Sequence, residues 1–147
     1  MAVDIIIDVR DARWKASLRP YRKTMTDACN AALAACKIKK GELAVVLADD
    51  AFVQQLNATY RGKNKPTNVL SFEGDGDSLG DVILAFETIK AEAGDQGKAF
   101  RDHTKHLVVH GILHIMGYDH MNDKDAGQME LLEIKILKKL RVTNPYL

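Results

Sequence analysis

The chain is short of several things that would decide its class at a glance. It has only two cysteines in 147 residues, Cys29 and Cys36. Both fall in a helical stretch away from any ligand pattern, so they read as small apolar residues and not as a disulfide framework. No apolar run approaches the roughly 18–20 residues needed to span a membrane. Residues 1–11 lack the basic start and long apolar core of a signal peptide, and a cytoplasmic location is expected. Neither sign of charge is in excess: 21 Lys and Arg stand against 20 Asp and Glu, a formal net charge of +1. Any attraction to nucleic acid must therefore come from local clusters and not from the chain as a whole. There is no internal repeat, low-complexity tract or linker, and the length suits one domain, residues 1–147, with a sizeable core.

What is present is a concentration of histidine. Three of the five histidines fall in His110-Gly-Ile-Leu-His114-Ile-Met-Gly117-Tyr-Asp-His120. Residues four apart on a helix lie one above the other, so His110 and His114 can point two imidazoles at one ion. Gly117 sits where such a helix would end, since glycine takes the left-handed C-terminal conformation at little cost. The chain can then turn back and deliver His120 as a third ligand. His106 extends the ladder in the other direction. At 1.5 Å per residue, however, His106 and His114 are about 12 Å apart along the axis, whereas zinc ligands lie about 2 Å from the metal. One ion takes at most two neighbours, and only the 110/114 pair has a break and a further histidine beyond it. His106 is expected to pack or hydrogen-bond.

Three imidazoles suit zinc best, with nickel, copper and iron also compatible. A three-ligand site leaves a position for water, which points to catalysis more than to structural stapling. The spacing coincides with the metzincin protease motif His-Glu-x-x-His-x-x-Gly-x-x-His at each ligand position. The glutamate that acts there as general base is replaced by Gly111, which argues against a peptidase.

Along the chain, residues 3–9 (VDIIIDV) form a β-branched first strand. A helix is expected from about Pro20 to Cys36, with Ala28, Ala31, Ala32, Leu33 and Ala35 on a close-packing face. Residues 43–48 (LAVVLA) read as a second, buried strand. Asp49 or Asp50 caps the next helix, on which Phe52, Val53, Leu56 and Tyr60 recur at helical spacing. The loop 61–67 (RGKNKPT) carries three cations and no acid. Residues 68–72 (NVLSF) and 80–86 (GDVILAF) read as two strands that pair across an acidic, glycine-rich turn. A short helix follows over 87–93, then the histidine helix from Lys98 to about Met116, and a last helix over 123–140. The expected fold is α/β or α+β, one mixed sheet of about four strands with about five helices and at least one helical crossover.

These residues resemble the YbeY family of bacterial rRNA maturation factors, which are metal-dependent endoribonucleases. The resemblance rests on the histidine block, on Arg61-Gly-Lys-Asn-Lys-Pro-Thr-Asn-Val-Leu-Ser-Phe72, and on Leu79-Gly-Asp-Val-Ile83. It covers roughly residues 40–140. Two positions depart from the family's habit: Asn68 stands where aspartate is usual, and Glu73 where proline is common. The resemblance implies that His110, His114 and His120 bind zinc, that Arg61 is the functional arginine, and that the metal helix lies across a small sheet. It further implies single-stranded RNA as substrate, 16S rRNA 3′-end maturation and ribosome quality control as the setting, and the small ribosomal subunit with its assembly factors as partners. Chemistry supports part of this independently. Phosphodiester cleavage builds negative charge on non-bridging oxygens, which a guanidinium can grip through two parallel bonds. Lys63 and Lys65 would add sequence-independent phosphate attraction. Ser71 would touch substrate, or simply serve its strand. Asp119 would orient a histidine ligand, or cap the turn. Two other readings stand behind the nuclease: a metal hydrolase of another substrate, and a ribosome-assembly protein whose metal is chiefly structural.

Overall fold

The computed structural model describes residues 3–118 and 123–146. Among the described residues four strands and six helices follow in the order β1 (Asp4–Val9), α1 (Arg13–Ser17), α2 (Tyr21–Ala35), β2 (Glu42–Ala48), α3 (Asp50–Arg61), β3 (Val69–Glu73), β4 (Ser78–Ala85), α4 (Phe86–Gln96), α5 (Phe100–Ile115) and α6 (Asp123–Lys139). The strands form one sheet in the order β1-β2-β4-β3. β1–β2 and β2–β4 are parallel, while β3–β4 are antiparallel. This is the mixed four-stranded α+β fold expected. The two strands flanking the acidic turn do pair as neighbours, with Ser71 opposite Val82.

Alternation along the inner strands explains why their sequences read as unbroken apolar runs. In β2 and β4, Leu43, Val45, Leu47, Val82 and Leu84 join the main core with α2 and α5. Their neighbours Ala48, Ile83 and Ala85 join a second cluster with Val53 of α3. Side chains two apart share a face of the sheet, so both faces are covered and both need apolar residues. α3 thus lies on one face, and α2 and α5 on the other.

The element not foreseen is α1. Its five residues are too short to show a helical period, and it is held by one side chain. Trp14 is fully buried, its Nε1–H donates to the Ala48 carbonyl at 2.8 Å, and its ring meets Phe86 edge-on at 5.4 Å. The α2 start also moves by one residue: Pro20 is the extended N-cap and not part of the first turn. Among the described residues no helix is long and apolar enough to cross a membrane.

Candidate functional site

The histidine helix ends as its sequence suggests. Gly117 has φ +101°, its N–H donates to the His114 carbonyl at 3.1 Å, and the Tyr118 N–H reaches back to the Leu113 carbonyl at 3.0 Å. This pair of bonds is the Schellman arrangement, which needs a left-handed residue at the turn. It stops α5 one residue after His114. The rings of His110 and His114 stand 4.8 Å apart, centroid to centroid. Both line a cavity of about 750 Å³ on the α3–β3 side of the helix. His120, the expected third ligand, and Asp119, expected to orient a histidine ligand or cap the turn, lie outside the described residues.

The other wall of that cavity comes from α3 and the loop after it. Asp49 caps α3, its Oδ1 accepting from the Phe52 N–H at 2.8 Å. Arg61 is the helix's last residue, and Gly62 turns the chain away at φ +68°. The Arg61 Nη2 donates to the Ser71 carbonyl at 2.7 Å, and the guanidinium lies 5.0 Å from the Phe72 ring centroid. The buried Asn57 ties the loop back, donating from Nδ2 to the Lys65 carbonyl at 2.9 Å. Gln54 does the same through Asn64 at 3.1 Å. Arg61, Lys63, Lys65 and Ser71 therefore line the same cavity as His110 and His114. Every predicted site residue that falls among the described residues is gathered there. Glu73 adds one acid to the lining. Asn68 donates to both oxygens of Glu92, at 3.0 and 3.3 Å, and Glu92 also meets the His103 Nε2 at 2.9 Å. An aspartate at 68 would face that carboxylate as a like charge, so the amide suits this chain.

Behind the histidines lies a residue that the sequence reading passed over. Glu133 of α6 is fully buried, and its carboxylate meets the His110 Nδ1 at 2.7 Å, the His106 Nε2 at 2.9 Å and the Tyr146 hydroxyl at 2.6 Å. Burial alone would push this carboxyl up. The three hydrogen bonds and the nearby His110 outweigh it and bring the group down to about 2. Burial and the facing carboxylate together push the Tyr146 phenol up. Position 133 sits on the stripe that also buries Met129, Ile136 and Leu137. An acid at a core position of an amphipathic helix was the available signal. His106 hydrogen-bonds to Glu133, one of the two roles expected of it. Donor atoms of His106, His110 and Glu133 also lie within 4.8 Å of one another, a second way in which three groups could hold a cation. His110 is common to both sets.

Gly111 also has a place. It is buried against the sheet, and a Cβ there would meet Ser71 Oγ and Val82 Cγ1 at 3.0 Å and Val69 Cγ2 at 3.4 Å. The position of the absent glutamate is a helix–sheet contact.

A helix that carries paired histidines across a mixed sheet, opposite an arginine–lysine loop, defines an α+β protein with a polar cavity between the two. The sequence matches the family model described as Endoribonuclease YbeY over residues 6–141, and the chain belongs to the YbeY family. It is 45% identical to Endoribonuclease YbeY of Paramagnetospirillum magneticum, over 99% of this chain and 97% of that protein. It is 41% identical to the protein of the same name from Rhizobium etli, over 98% and 93%. The fold is shared with TM1509 of Thermotoga maritima, known from its solution structure, with a TM-score of 0.62 at 20% identity over 95% of this chain and 91% of the other.

Proposed function

We propose that this chain is a single-domain, metal-dependent endoribonuclease that cleaves single-stranded RNA. The observation that carries the reading is the convergence of Arg61, Lys63 and Lys65 with His110 and His114 on one cavity. Its relatives' name, endoribonuclease, supports RNA as the substrate class. Paired imidazoles at the end of α5 suit a zinc or nickel ion, with His120 as the third ligand. Such an ion, when bound, supplies Lewis acidity toward a phosphate oxygen and lowers the pKa of water to about 7.

The chain's own residues supply position and charge. Arg61 is anchored by one donor on the Ser71 carbonyl and by its stacking on Phe72. A guanidinium has five donors in a fixed fork, so this anchorage leaves donors available for phosphate oxygens. Lys63 and Lys65 draw the backbone in without sequence preference, and Ser71 lies at the cavity wall within reach of substrate. The biological setting that follows is maturation of the 16S rRNA 3′ end and ribosome quality control. Its partners would be the small ribosomal subunit and its assembly factors, in the cytoplasm.

The test is cleavage of single-stranded RNA at fixed salt by the zinc-loaded protein and four variants, with metal content measured in parallel. Arg61→Ala should lose about 10²–10³ in rate, the usual cost of one charge-directed donor, while keeping its metal and fold. Arg61→Lys should recover little, since a point charge cannot reproduce the fork. Lys63→Ala and Lys65→Ala should weaken binding modestly and flatten its salt dependence. Equal, small defects in all four would reject the catalytic assignment of Arg61.

A further inference from the structure

Resting on the metal site proposed above, we infer that Glu133 is a positioning residue: by accepting the Nδ1–H of His110 it fixes that ring with Nε2 presented to the cavity, and it is itself held by His106 and Tyr146. A neutral imidazole carries its proton on one nitrogen only. With Nδ1 donating to Glu133 at 2.7 Å, Nε2 carries the lone pair of the neutral ring, and that ring lines the cavity beside His114. Histidine ligands to metals commonly have their other nitrogen held by a carboxylate in this way, which sets tautomer and ring angle together.

Three features set this apart from simple helix–helix adhesion. A carboxylate with no solvent exposure is costly unless its lone pairs are used. Here Oε1 takes His110, and Oε2 takes both His106 and Tyr146. The donors come from α5 and from the segment after α6, so the carboxylate is fixed from two directions. Adhesion of α6 to α5 would be served by either histidine bond alone. Only the set of three immobilises the oxygen that faces His110. The same bonds give His106 its purpose as a buttress for the acid.

The alternative geometry has Glu133, His106 and His110 themselves holding the cation. That would require His110 to coordinate through Nδ1 and to give up its bond to Glu133. The two arrangements therefore predict opposite nitrogens.

The experiment is long-range ¹H–¹⁵N correlation of the imidazole rings, first in metal-free protein and then with zinc added. Zinc affinity is measured alongside by chelator competition for wild type, Glu133→Gln and Tyr146→Phe. Wild-type His110 should be protonated at Nδ1 without metal and should bind zinc through Nε2. Glu133→Gln should mix the two tautomers and weaken zinc about 10–100-fold, the usual cost of losing such a partner. Tyr146→Phe should keep the Nδ1 tautomer and lose less affinity. A wild-type His110 protonated at Nε2, or zinc held through Nδ1 together with His106, overturns the inference even if Glu133→Gln fails to fold. An unchanged tautomer and affinity in a folded Glu133→Gln overturns it as well. Wild type with the expected tautomer but no zinc uptake would refute the metal reading instead, and with it the positioning role, by a separate and recognisable route.

Discussion

Gly111 offers the sharpest test of how the histidine helix sits on its sheet. Replacing glycine by alanine inside an exposed helix gains about 0.8–1.0 kcal/mol of propensity. Here the new methyl would stand 3.0 Å from Ser71 Oγ and 3.0 Å from Val82 Cγ1. Ser71 lies on the edge strand and can rotate, but Val82 is β-branched on an inner strand and has few other rotamers. Overpacking of this kind costs about 1–3 kcal/mol. The net expectation for Gly111→Ala is a loss of about 1 kcal/mol, which lowers the Tm by about 2–4 °C in a domain of this size. Gly111→Glu restores the metzincin motif on paper, yet it drives four more heavy atoms and a charge into the same contact. The cost is several kcal/mol, against a total stability of about 5–15 kcal/mol. That variant should unfold or lift α5 from β3, and its zinc content and RNA cleavage should fall together. It should gain no peptidase activity. Thermal melts by circular dichroism, with zinc content and peptide hydrolysis on the same samples, decide the matter. A Gly111→Ala protein that melts above wild type, or a Gly111→Glu protein of native stability, would refute the packing argument.

Two further outcomes follow from local geometry. Lys37 ends α2 at φ +60°, with its N–H on the Ala34 carbonyl and the Ile38 N–H on the Leu33 carbonyl, both at 3.0 Å. The left-handed conformation costs a side-chain-bearing residue about 1–2 kcal/mol, and glycine's looser unfolded chain returns about 0.5–1 of that. Lys37→Gly should therefore stabilise by about 0.5–1 kcal/mol, and an unchanged or lower denaturation midpoint would contradict this. Burial pushes the Cys29 thiol up to about 12, whereas Cys36 is half-buried and raised less far. Cys29 is both fully buried and disfavoured as a thiolate, so iodoacetamide should label Cys36 first and reach Cys29 only on unfolding. Equal labelling rates in native protein would be incompatible with the core as described.

The parts of this fold legible in the sequence are those with local causes. β1, β2 and β4 announce themselves by β-branched runs, α3 by its Asp49 cap and amphipathic spacing, and the end of α5 by Gly117. The cation loop is legible too, because glycine, lysine and proline leave 62–67 no regular structure to join; it starts one residue later than expected, since Arg61 still closes α3. Its approach to the histidines is a different matter. Arg61 and His110 are brought together by the antiparallel return of β3 on β4 and by the packing of α5 against β3, neither of which any short window contains. Glu133 escaped for a related reason. It is one acid among several on α6, and the one signal it gives, an acid on the stripe of Met129 and Ile136, becomes decisive only once those neighbours are seen to be buried. In the sequence Gly111 stands out for the carboxylate it lacks, while its physical role, a close approach to Val82 and Ser71, depends on the sheet. α1 leaves no such mark, because five residues fixed by one tryptophan carry no period.

Helix geometry divides the labour among the histidines. At 3.6 residues per turn, each step of four residues advances about 40° around the axis as well as about 6 Å along it. His106, His110 and His114 are thus a slowly turning stripe, not a straight ladder. His106 is rotated about 40° one way from His110, toward α6, and meets Glu133 and Tyr146. His114 is rotated the same amount the other way and lines the cavity opposite Arg61. His110 lies between the two and faces both, with Nδ1 on the carboxylate and the ring in the cavity wall. Gly111, about 100° further round, falls against the sheet, where only a backbone fits. One helix can therefore serve a core, a buried acid and a polar cavity at once. The residue at the boundary between acid and cavity is the one whose orientation is doubly determined.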